Sequence, residues 1–393
     1  MTLYLNDLGL LCALGSGKTE ILPRLLAGYR GGLVLSDQFS AGTPLRLGQV
    51  AEPLPEIPTE FAVYGCRNNQ LLLAALAQIQ DSVKAMLSRY GRDRIGVVLG
   101  TSTSGVRNTE LALAYQAEHG YLPASYHYKQ QQMGAGADFV AAYLGVKGPA
   151  FTISTACSSS GKAFASARRL LNLDLCDAVI VGGADSLCSL TVNGFRALES
   201  VSSGWCQPFG AQRDGINIGE AAALFVLSRQ EGPVALRAVA ATSDAHHFSA
   251  PAPDGTAVAD AMRLALSQAE LQPGQVDYLN LHGTATLLND AMESRAVNGV
   301  FGPDTPASSS KGMTGHTLGA AAALELGFCW LLLTSTDDSG QLIPNAGGDA
   351  PDPSLPVLNL VKPGQTLGRR IDICQSNSFA FGGNNVSIVV SRT

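Results

Sequence analysis

Residues 155–161 read T-A-C-S-S-S-G and lie between two stretches of different character. Residues 150–154 before them are typical of a β-strand, and residues 162–171 after them favour a helix. A strand that leads directly into a helix is the repeating unit of α/β proteins, and its recurrence along the chain favours helical layers on largely parallel sheets. It also puts Cys157 at a helix N-terminus, where exposed amides favour a thiolate.

Two histidines occupy settings as distinctive as that of the cysteine. His282 lies in L-H-G-T-A-T, just after the strand-like residues 276–281. His316 ends the segment K-G-M-T-G-H and precedes a long apolar stretch. A lone cysteine is more often a small buried hydrophobe than a nucleophile, and either histidine alone would be a core residue as readily as a catalytic one. Three such contexts in one chain nevertheless favour a Cys-His-His site.

Strands and helices are predicted to alternate through both halves of the chain. The predicted strands are residues 3–5, 94–99, 151–154, 178–181, 223–227, 234–240, 276–281, 372–375 and 386–390. The predicted helices are residues 68–90, 133–144, 162–171, 257–271, 289–300 and 317–333. Residues 335–361 are rich in Pro, Gly, Asp and Ser, which predicts a connecting loop.

Length and composition indicate a large, well-buried protein. With 393 residues the chain exceeds the usual size of one core, so we expect two domains or an internal duplication. Charged residues make up 15% of the chain, against roughly 25% in ordinary soluble proteins. Much apolar surface must therefore be buried internally or against another subunit, and we expect an oligomer. The formal net charge of −6 argues against nucleic-acid binding through a general electrostatic field.

Cysteine usage and hydropathy bear on metals, compartment and membranes. The eight cysteines include no C-x-x-C pair, so neither a metal site nor a disulfide framework is predicted. This usage fits a reducing cytoplasm best. Residues 318–333 are short for a bilayer span and contain Glu325, so we interpret them as a buried helix and expect no integral membrane segment.

Several motifs together resemble those of the elongating β-ketoacyl-[acyl carrier protein] synthases of the thiolase superfamily. They are L-G-L-L-C-A-L-G (8–15), V-V-L-G-T-S (97–102), V-G-G-A-D (181–185), Q-P-F-G-A-Q-R-D-G-I-N-I-G-E (207–220) and N-S-F-A-F-G-G-N-N (377–385). The resemblance covers nearly the whole chain. It implies an α/β thiolase fold, in which two duplicated βαβαβαββ halves form five α-β-α-β-α layers. Residues 1–231 would carry the nucleophile, and residues 232–393 both histidines.

The resemblance also implies roles for individual residues. Cys157 corresponds to the acylated nucleophile, and His282 and His316 to the pair that polarises the malonyl thioester carbonyl. Lys311 and Glu325 correspond to a supporting ion pair. A glutamate in an apolar helix is costly to bury unless a cation or donor satisfies it, which independently favours such a pair.

Other residues match the substrate-binding parts of the family. Phe381 matches a gating phenylalanine whose amide would complete an oxyanion hole with that of Cys157. Thr284 and Thr286 match threonines that bind phosphopantetheine. Phe195 corresponds to an aromatic residue of the acyl tunnel, and Ile216 stands where many relatives have phenylalanine, which indicates an altered acyl pocket. From their positive charge alone, Arg67, Lys129 and Arg196 are candidates for a basic rim that binds an acidic carrier protein, although single charges are most often merely solvated. Two departures from the commoner G-F-G-G-T-N motif, Ala380 and Asn384, indicate an altered gate.

The resemblance implies a decarboxylative Claisen condensation of an acyl-enzyme with malonyl-carrier, without a cofactor of the enzyme's own. Substrates would arrive on the phosphopantetheine of acyl carrier protein. The motifs H-G-T-A-T-L-L-N-D and D-G-I-N-I-G-E are similar to those of polyene-type synthases, including aryl polyene ones. We therefore expect either a homodimer or a heterodimer with a chain-length-factor-like paralogue.

Four alternatives compete with this prediction. A non-decarboxylative thiolase would need a second C-terminal catalytic cysteine, whereas Cys374 is followed by Q-S-N-S-F. Initiating synthases use Cys-His-Asn and would not need His316. A cysteine hydrolase leaves His316 and Lys311 unexplained. A non-catalytic chain-length-factor-like subunit typically lacks the nucleophile, which this chain retains.

Overall fold

A computed structural model describes residues 2–347 and 350–393, which form fifteen β-strands and eleven α-helices. The strands are β1 (Leu3–Cys12), β2 (Gly15–Ser16), β3 (Leu33–Ser36), β4 (Leu45–Gly48), β5 (Ile95–Gly100), β6 (Ala150–Ile153), β7 (Ala178–Asp185), β8 (Ile218–Gly219), β9 (Ala221–Ser228), β10 (Val234–Ser243), β11 (Tyr278–Asn280), β12 (Pro306–Ser308), β13 (Asn359–Leu360), β14 (Ile373–Ala380) and β15 (Asn384–Arg392). The helices are α1 (Lys18–Leu26), α2 (Arg67–Gln78), α3 (Gln80–Tyr90), α4 (Val106–His119), α5 (Ala135–Leu144), α6 (Ser159–Asn172), α7 (Ser189–Ala197), α8 (Thr256–Ala269), α9 (Leu287–Phe301), α10 (Lys311–Thr314) and α11 (Ala321–Thr334). The predicted α/β class is confirmed.

Most strands belong to one large sheet in the order β13-β12-β11-β14-β15-β10-β1-β9-β7-β5-β6. We call the part from β1 to β6 in this order, with its helices, the N-terminal wing, and the part from β13 to β10 the C-terminal wing. In the N-terminal wing β6, β5 and β7 are parallel, and β9 is antiparallel to both β7 and β1. In the C-terminal wing β12, β11 and β14 are parallel, and β15 is antiparallel to both β14 and β10. The wings join where β1 pairs with β10. This matching of strand directions is the internal duplication that the length suggested.

Helices lie on both faces of each wing and between the wings. In the middle, α6 packs on β5 and β7, α11 packs on β14 and β15, and the two helices contact each other. Helix α11 is buried along residues 321–333, as expected for an apolar inner helix. Outside, α2 and α5 cover the N-terminal wing, and α8 covers the C-terminal wing with α9 beside it. These contacts give five layers in the order α-β-α-β-α.

Some element boundaries differ from the sequence-based predictions. The predicted helix 68–90 is two helices, α2 and α3, because Ile79 leaves the helical conformation at φ −115° and ψ 18°. The helix predicted from residue 317 begins with a short 3-10 turn before α11. In the predicted connector 335–361, residues 348–349 lie outside the described residues, and β13 falls near its end. Among the described residues no helix is long and apolar enough to cross a membrane.

Candidate active site

The nucleophile candidate lies on a tight turn between β6 and α6. Ala156, just before Cys157, has φ +51°, a left-handed conformation that is uncommon for a residue with a side chain. Ser159 braces this turn: its Oγ accepts from the Thr155 amide at 2.8 Å and donates to the Ala156 carbonyl at 2.6 Å. Cys157 is buried but lines a cavity that opens to solvent.

Three side chains from separate parts of the chain converge at this turn. The Cys157 sulfur and one ring nitrogen each of His282 and His316 lie within 4.8 Å of one another. His316 Nε2 is 2.9 Å from Cys157 Sγ. The two imidazole rings are nearly perpendicular, with centroids 5.4 Å apart. The cysteine follows β6, His282 follows β11, and His316 follows α10, so the cluster contains residues from both wings.

Both imidazoles are held in their neutral form. Burial, reinforced by the positive charge of Lys311, lowers the pKa of His282 and of His316 well below the usual value. Nδ1 of each ring is buried without a hydrogen-bond partner among the described residues. An orphaned buried N–H is rarer than an orphaned acceptor, so the tautomer that carries its proton on Nε2 is favoured. Neutral rings of this kind can donate a hydrogen bond to a developing oxyanion.

The prediction that Cys157 is a thiolate at a helix N-terminus is wrong for the resting protein. Burial raises the pKa of Cys157 to about 12, although Lys311 acts in the opposite direction. Helix α6 begins only at Ser159, so Cys157 lies outside its first turn. Desolvation of the sulfur therefore exceeds the effect of the helix dipole, and the thiol must lose its proton when it reacts. With its proton on Nε2, His316 donates to the sulfur across a 2.9 Å contact and would stabilise the thiolate as it forms.

Lys311 and Glu325 form a fully buried ion pair behind the histidines. Lys311 Nζ lies 2.5 Å from Glu325 Oε1 and also donates to the His282 carbonyl at 2.5 Å. The side chains of the pair are 0% and 2% exposed. Burial raises the pKa of Glu325, and Lys311 opposes that shift. The lysine thus ties the His282 segment to α11, as the apolar surroundings of Glu325 predicted.

Two carboxylates that the sequence analysis did not single out also hold the His282 segment. Glu293 accepts from the amides of His282 and Gly283, both at 2.7 Å. Asp290 accepts from the Ala285 amide at 3.1 Å. Burial raises the pKa of Glu293 to about 8 and that of Asp290 to about 6. The sequence offered one signal for this role: Asp290 and Glu293 are acids three residues apart in α9, so they lie on the same face of the helix, and that face is buried.

The His316 segment has its own support in the D-G-I-N-I-G-E motif. The His316 amide donates to the Asn217 carbonyl at 2.6 Å, and Asn217 Oδ1 accepts from the Cys206 amide at 2.8 Å. Asn217 is completely buried. Sequence reasoning missed it, since its backbone carbonyl rather than its side chain makes the contact with the histidine.

The residues predicted to bind substrate line the same cavity as the three central side chains. This cavity has a volume of about 350 Å³ and includes Phe195, Ile216, Thr284, Thr286 and Phe381. The Phe195 and Phe381 rings lie 5.5 Å apart between centroids. Thr284 and Thr286 hydrogen-bond to each other at 2.9 Å. A largely apolar cavity with a few polar groups suits an acyl chain on a polar arm.

Residues 381–383 form the turn expected for a gate. Gly382 and Gly383 have φ +75° and +70°, a conformation that favours glycine. The Gly382 amide donates to the Phe248 carbonyl at 2.8 Å. Asn384, which replaces the commoner threonine, accepts from Lys162 Nζ at 2.6 Å. The asparagine thus connects the end of this turn to α6.

Comparisons with known proteins agree with this site. Residues 67–232 match the family model described as Beta-ketoacyl synthase, N-terminal domain, and residues 234–339 match Beta-ketoacyl synthase, C-terminal domain. The chain belongs to the β-ketoacyl synthase family. A ketosynthase from Xenorhabdus doucetiae, solved in complex with its chain length factor, is 44% identical, with a TM-score of 0.94. The match covers 100% of this chain and 98% of that one.

Curated relatives point to the same family. Nodulation protein E of Rhizobium leguminosarum bv. trifolii is 31% identical, with 97% of this chain and 96% of that protein covered. The 3-oxoacyl-[acyl-carrier-protein] synthase 2 of Synechocystis is 30% identical, with 81% and 80% covered. Together with the ketosynthase structure, these matches confirm the thiolase-type fold of this synthase.

The three cations predicted to bind the carrier lie apart from the active-site cavity of the synthase. Arg67 pairs with the buried Glu220 at 2.6 Å, so much of its charge is neutralised inside the protein. Lys129 donates to the Tyr64 hydroxyl at 3.0 Å, and Arg196 donates to the Thr43 hydroxyl at 2.9 Å. None of the three is among the cavity residues. Their role in carrier binding stays a prediction.

Proposed function

We propose that this chain is the catalytic ketosynthase of a carrier-based pathway, which extends an acyl chain by decarboxylative Claisen condensation with malonyl-carrier. The observation that carries the proposal is the 2.9 Å contact between Cys157 Sγ and His316 Nε2, with His282 beside it, in a cavity open to solvent. Thiol chemistry and an oxyanion site are the two requirements of this reaction.

In the first step Cys157 takes the acyl group. The Cys157 thiol gives up its proton to solvent while the Nε2–H of His316 stabilises the forming thiolate, and the sulfur attacks the thioester carbonyl of the incoming acyl-carrier. The carbon–sulfur bond to the carrier arm breaks, and the departing arm recovers a proton as a free thiol. The amides of Cys157 and Phe381 would stabilise the oxyanion in this step. Thr284 and Thr286 would hold the polar arm.

In the second step malonyl-carrier loses carbon dioxide. The electron pair of the broken carbon–carbon bond forms an enolate, whose oxygen receives hydrogen bonds from His282 and His316. The enolate carbon attacks the acyl group on Cys157, the carbon–sulfur bond breaks, and the departing thiolate takes up a proton from solvent. Lys311 and Glu325 keep the two rings in place. Phe195 and Ile216 would bound the acyl chain.

The pathway we propose is polyene-type, with an aryl polyene as the specific case. Two observations support this pathway. The motifs H-G-T-A-T-L-L-N-D and D-G-I-N-I-G-E are similar to those of polyene-type synthases, and the chain is 44% identical to a ketosynthase that was solved with a chain length factor. We therefore propose a heterodimer with a chain-length-factor-like paralogue, and acyl carrier protein as the substrate donor. The reaction would take place in the cytoplasm, where the eight buried free cysteines stay reduced.

The test is a reaction of the purified chain, alone and with its co-purified partner, with malonyl-carrier and a second acyl-carrier. Saturated, enoyl and aryl-enoyl chains are compared side by side. We expect a β-ketoacyl product with matching carbon dioxide, and preference for the unsaturated chains. Release of free acid would instead indicate a hydrolase. Inertness in both forms would indicate an accessory subunit, and preference for long saturated chains would remove the polyene assignment.

A further inference from the structure

Two sequence motifs without a role in the mechanism, V-V-L-G-T-S and V-G-G-A-D, meet at one buried carboxylate. Asp185 is the last residue of β7 and is completely buried. It lies where the ends of β5 and β7 approach the 3-10 turn that precedes α11. Burying a carboxylate is costly unless hydrogen bonds satisfy it, so the contacts of Asp185 need an explanation.

Asp185 accepts hydrogen bonds from uncharged donors of two segments. Its Oδ1 accepts from Thr101 Oγ1 at 2.5 Å, and from the amides of Ser102 and Thr103, each at 2.8 Å. Thr103 Oγ1 adds another bond at 2.8 Å. Its Oδ2 accepts from the Gly319 amide at 2.5 Å. Burial raises the pKa of Asp185, and the hydrogen bonds from Thr101, Ser102 and Thr103 oppose that shift. Because backbone amides can only donate, the ionised carboxylate rather than the neutral acid matches this set of partners.

Three residues with left-handed backbone lie immediately around this carboxylate. Ala156 and Leu318 both have φ +51°, and Ser104 has φ +45°. The Ala156 carbonyl accepts from Ser102 Oγ at 3.2 Å, and Leu318 directly precedes Gly319. Such conformations are unfavourable for residues with side chains and persist only where the surroundings fix them.

The strained turns carry the reacting groups. Cys157 directly follows Ala156, and His316 is two residues before Leu318. We propose that Asp185 is an anionic positioning residue, which sets the contact between Cys157 and His316 by holding the turns on both sides of it. It touches neither substrate nor the reacting atoms. The expected kinetic effect rests on the proposed condensation, whereas the thiol chemistry below does not.

The charge of Asp185 gives a measurable effect separate from its hydrogen bonds. Burial is the main cause of the raised pKa of Cys157, and the negative charge of Asp185 adds to it. Replacing that charge with a neutral amide should therefore lower the pKa of the thiol. The other charged or titratable groups near the sulfur, which stay unchanged in this comparison, are Lys311, Glu325, His282 and His316.

The experiment compares Asp185→Asn with wild type in the full chain. The rate of carbamidomethylation of Cys157 by iodoacetamide is followed against pH by peptide mass spectrometry, which needs no substrate. The control is Asp277→Asn, another buried carboxylate that accepts from backbone amides, those of Asp372 and Ile373 at 2.8 and 2.9 Å; it also pairs with Arg369, and none of its partners lies on a turn that carries a reacting group. We expect the pH midpoint of the Cys157 carbamidomethylation rate to move to lower pH in Asp185→Asn only. We also expect kcat for condensation to fall on the order of 10²-fold, because small displacements of reacting groups have effects of this size.

An unchanged midpoint together with an unchanged kcat in a folded Asp185→Asn protein would overturn the inference. So would equal losses in Asp185→Asn and Asp277→Asn, since general destabilisation would then explain both. A shifted midpoint without any condensation by wild type would leave the positioning effect on the thiol intact and reject the proposed function instead.

A second variant keeps the inference testable if Asp185→Asn does not fold. A Cβ on Gly319 would lie 2.8 Å from Asp185 Oδ2, so Gly319→Ala pushes the His316 segment away from the carboxylate and leaves the charge in place. We expect on the order of a tenfold lower kcat, with the Cys157 midpoint unchanged. Wild-type kcat in Gly319→Ala would contradict the positioning role.

Discussion

At the scale of single residues, the sulfur of Cys157 is the group on which the proposed condensation depends first. Replacing Cys157 with Ala should abolish acyl-enzyme formation and condensation, because the reaction then has no nucleophile. The fold should survive, since the change removes one small side chain. Intact-mass spectrometry after incubation with acyl-carrier measures the adduct, and Cys188→Ala is the control, because Cys188 is buried but absent from the cavity. An acylated Cys157→Ala protein would contradict the assignment.

The buried pair of Lys311 and Glu325 makes a second prediction. Lys311→Met leaves Glu325 without its cation, and loss of one partner of a buried pair costs about 3–5 kcal/mol. The double variant Lys311→Met/Glu325→Leu removes both charges and should recover part of that loss. Urea unfolding measures both free energies. An equally large loss in the double variant would show that packing rather than the unpaired charge is responsible.

The two central histidines predict how stability depends on pH. Their folded pKa values are depressed, so the unfolded chain binds protons first as pH falls below about 6.5. The free energy of unfolding should then fall, by up to about 1.4 kcal/mol per pH unit for each histidine. The double variant His282→Gln/His316→Gln should show a shallower acid loss. Glu293 and Asp290, whose raised pKa values act in the opposite direction, are common to both proteins and cancel in the comparison. Parallel curves for the two proteins would contradict the neutral, buried state of the rings.

At the scale of secondary-structure elements, the close approach of α6 to the other wing explains the glycine that follows T-A-C-S-S-S. A Cβ on Gly161 would lie 2.5 Å from Val386 Cγ1 of β15 and 3.1 Å from Ala322 Cβ of α11. Glycine at this point therefore lets α6 approach both elements of the C-terminal wing.

We expect Gly161→Ala to destabilise the fold by about 1–3 kcal/mol through overpacking. Gly194→Ala in α7 is the control, because a Cβ there meets nothing within 4 Å and alanine favours a helix by up to about 1 kcal/mol. Thermal unfolding of the two variants should move in opposite directions. A stabilised Gly161→Ala protein would show that the two elements are not tightly packed.

The elements that sequence reasoning predicted are those with local signals. The β6–α6 junction could be predicted because β-strand-forming residues, small residues and helix-forming residues follow one another in the sequence. Glu325 was readable as a paired residue because it is a lone acid in an apolar run. The break between α2 and α3 was missed, since Ile79 is neither glycine nor proline and does not interrupt the apolar pattern.

The missed parts of the site share a physical cause. Asp185, Glu293 and Asn217 act on backbone amides or through a backbone carbonyl of distant segments. Backbone partners leave no complementary residue type in the sequence, so no pairing could be deduced. No partner could be deduced for the three cations predicted to bind the carrier either, because single charges are common and their partners depend on the fold.

At the scale of the whole molecule, the largest of several hydrophobic core clusters is shared by the two wings. Core residues from β1, α6 and β9 of the N-terminal wing pack in the same cluster as those of α11, β14 and β15. We propose that the halves divide at residues 231 and 232, between β9 and β10. Because the shared core belongs to both, neither half should be stable alone.

Calorimetry of the intact chain should therefore show one cooperative transition, and residues 1–231 expressed alone should lack a thermal transition. The intact chain measured under the same conditions is the control. Two separate transitions, or a stable isolated half, would contradict a shared core.

Acyl transfer through Cys157 is best tested by a single-turnover experiment. The chain, with its partner if one co-purifies, is acylated with a stoichiometric acyl-carrier, and intact mass then confirms one adduct. Malonyl-carrier is added next. The account predicts that the adduct disappears at the same rate as carbon dioxide and β-ketoacyl-carrier appear. Loss of the adduct as free acid, or an adduct on any other residue, would contradict it.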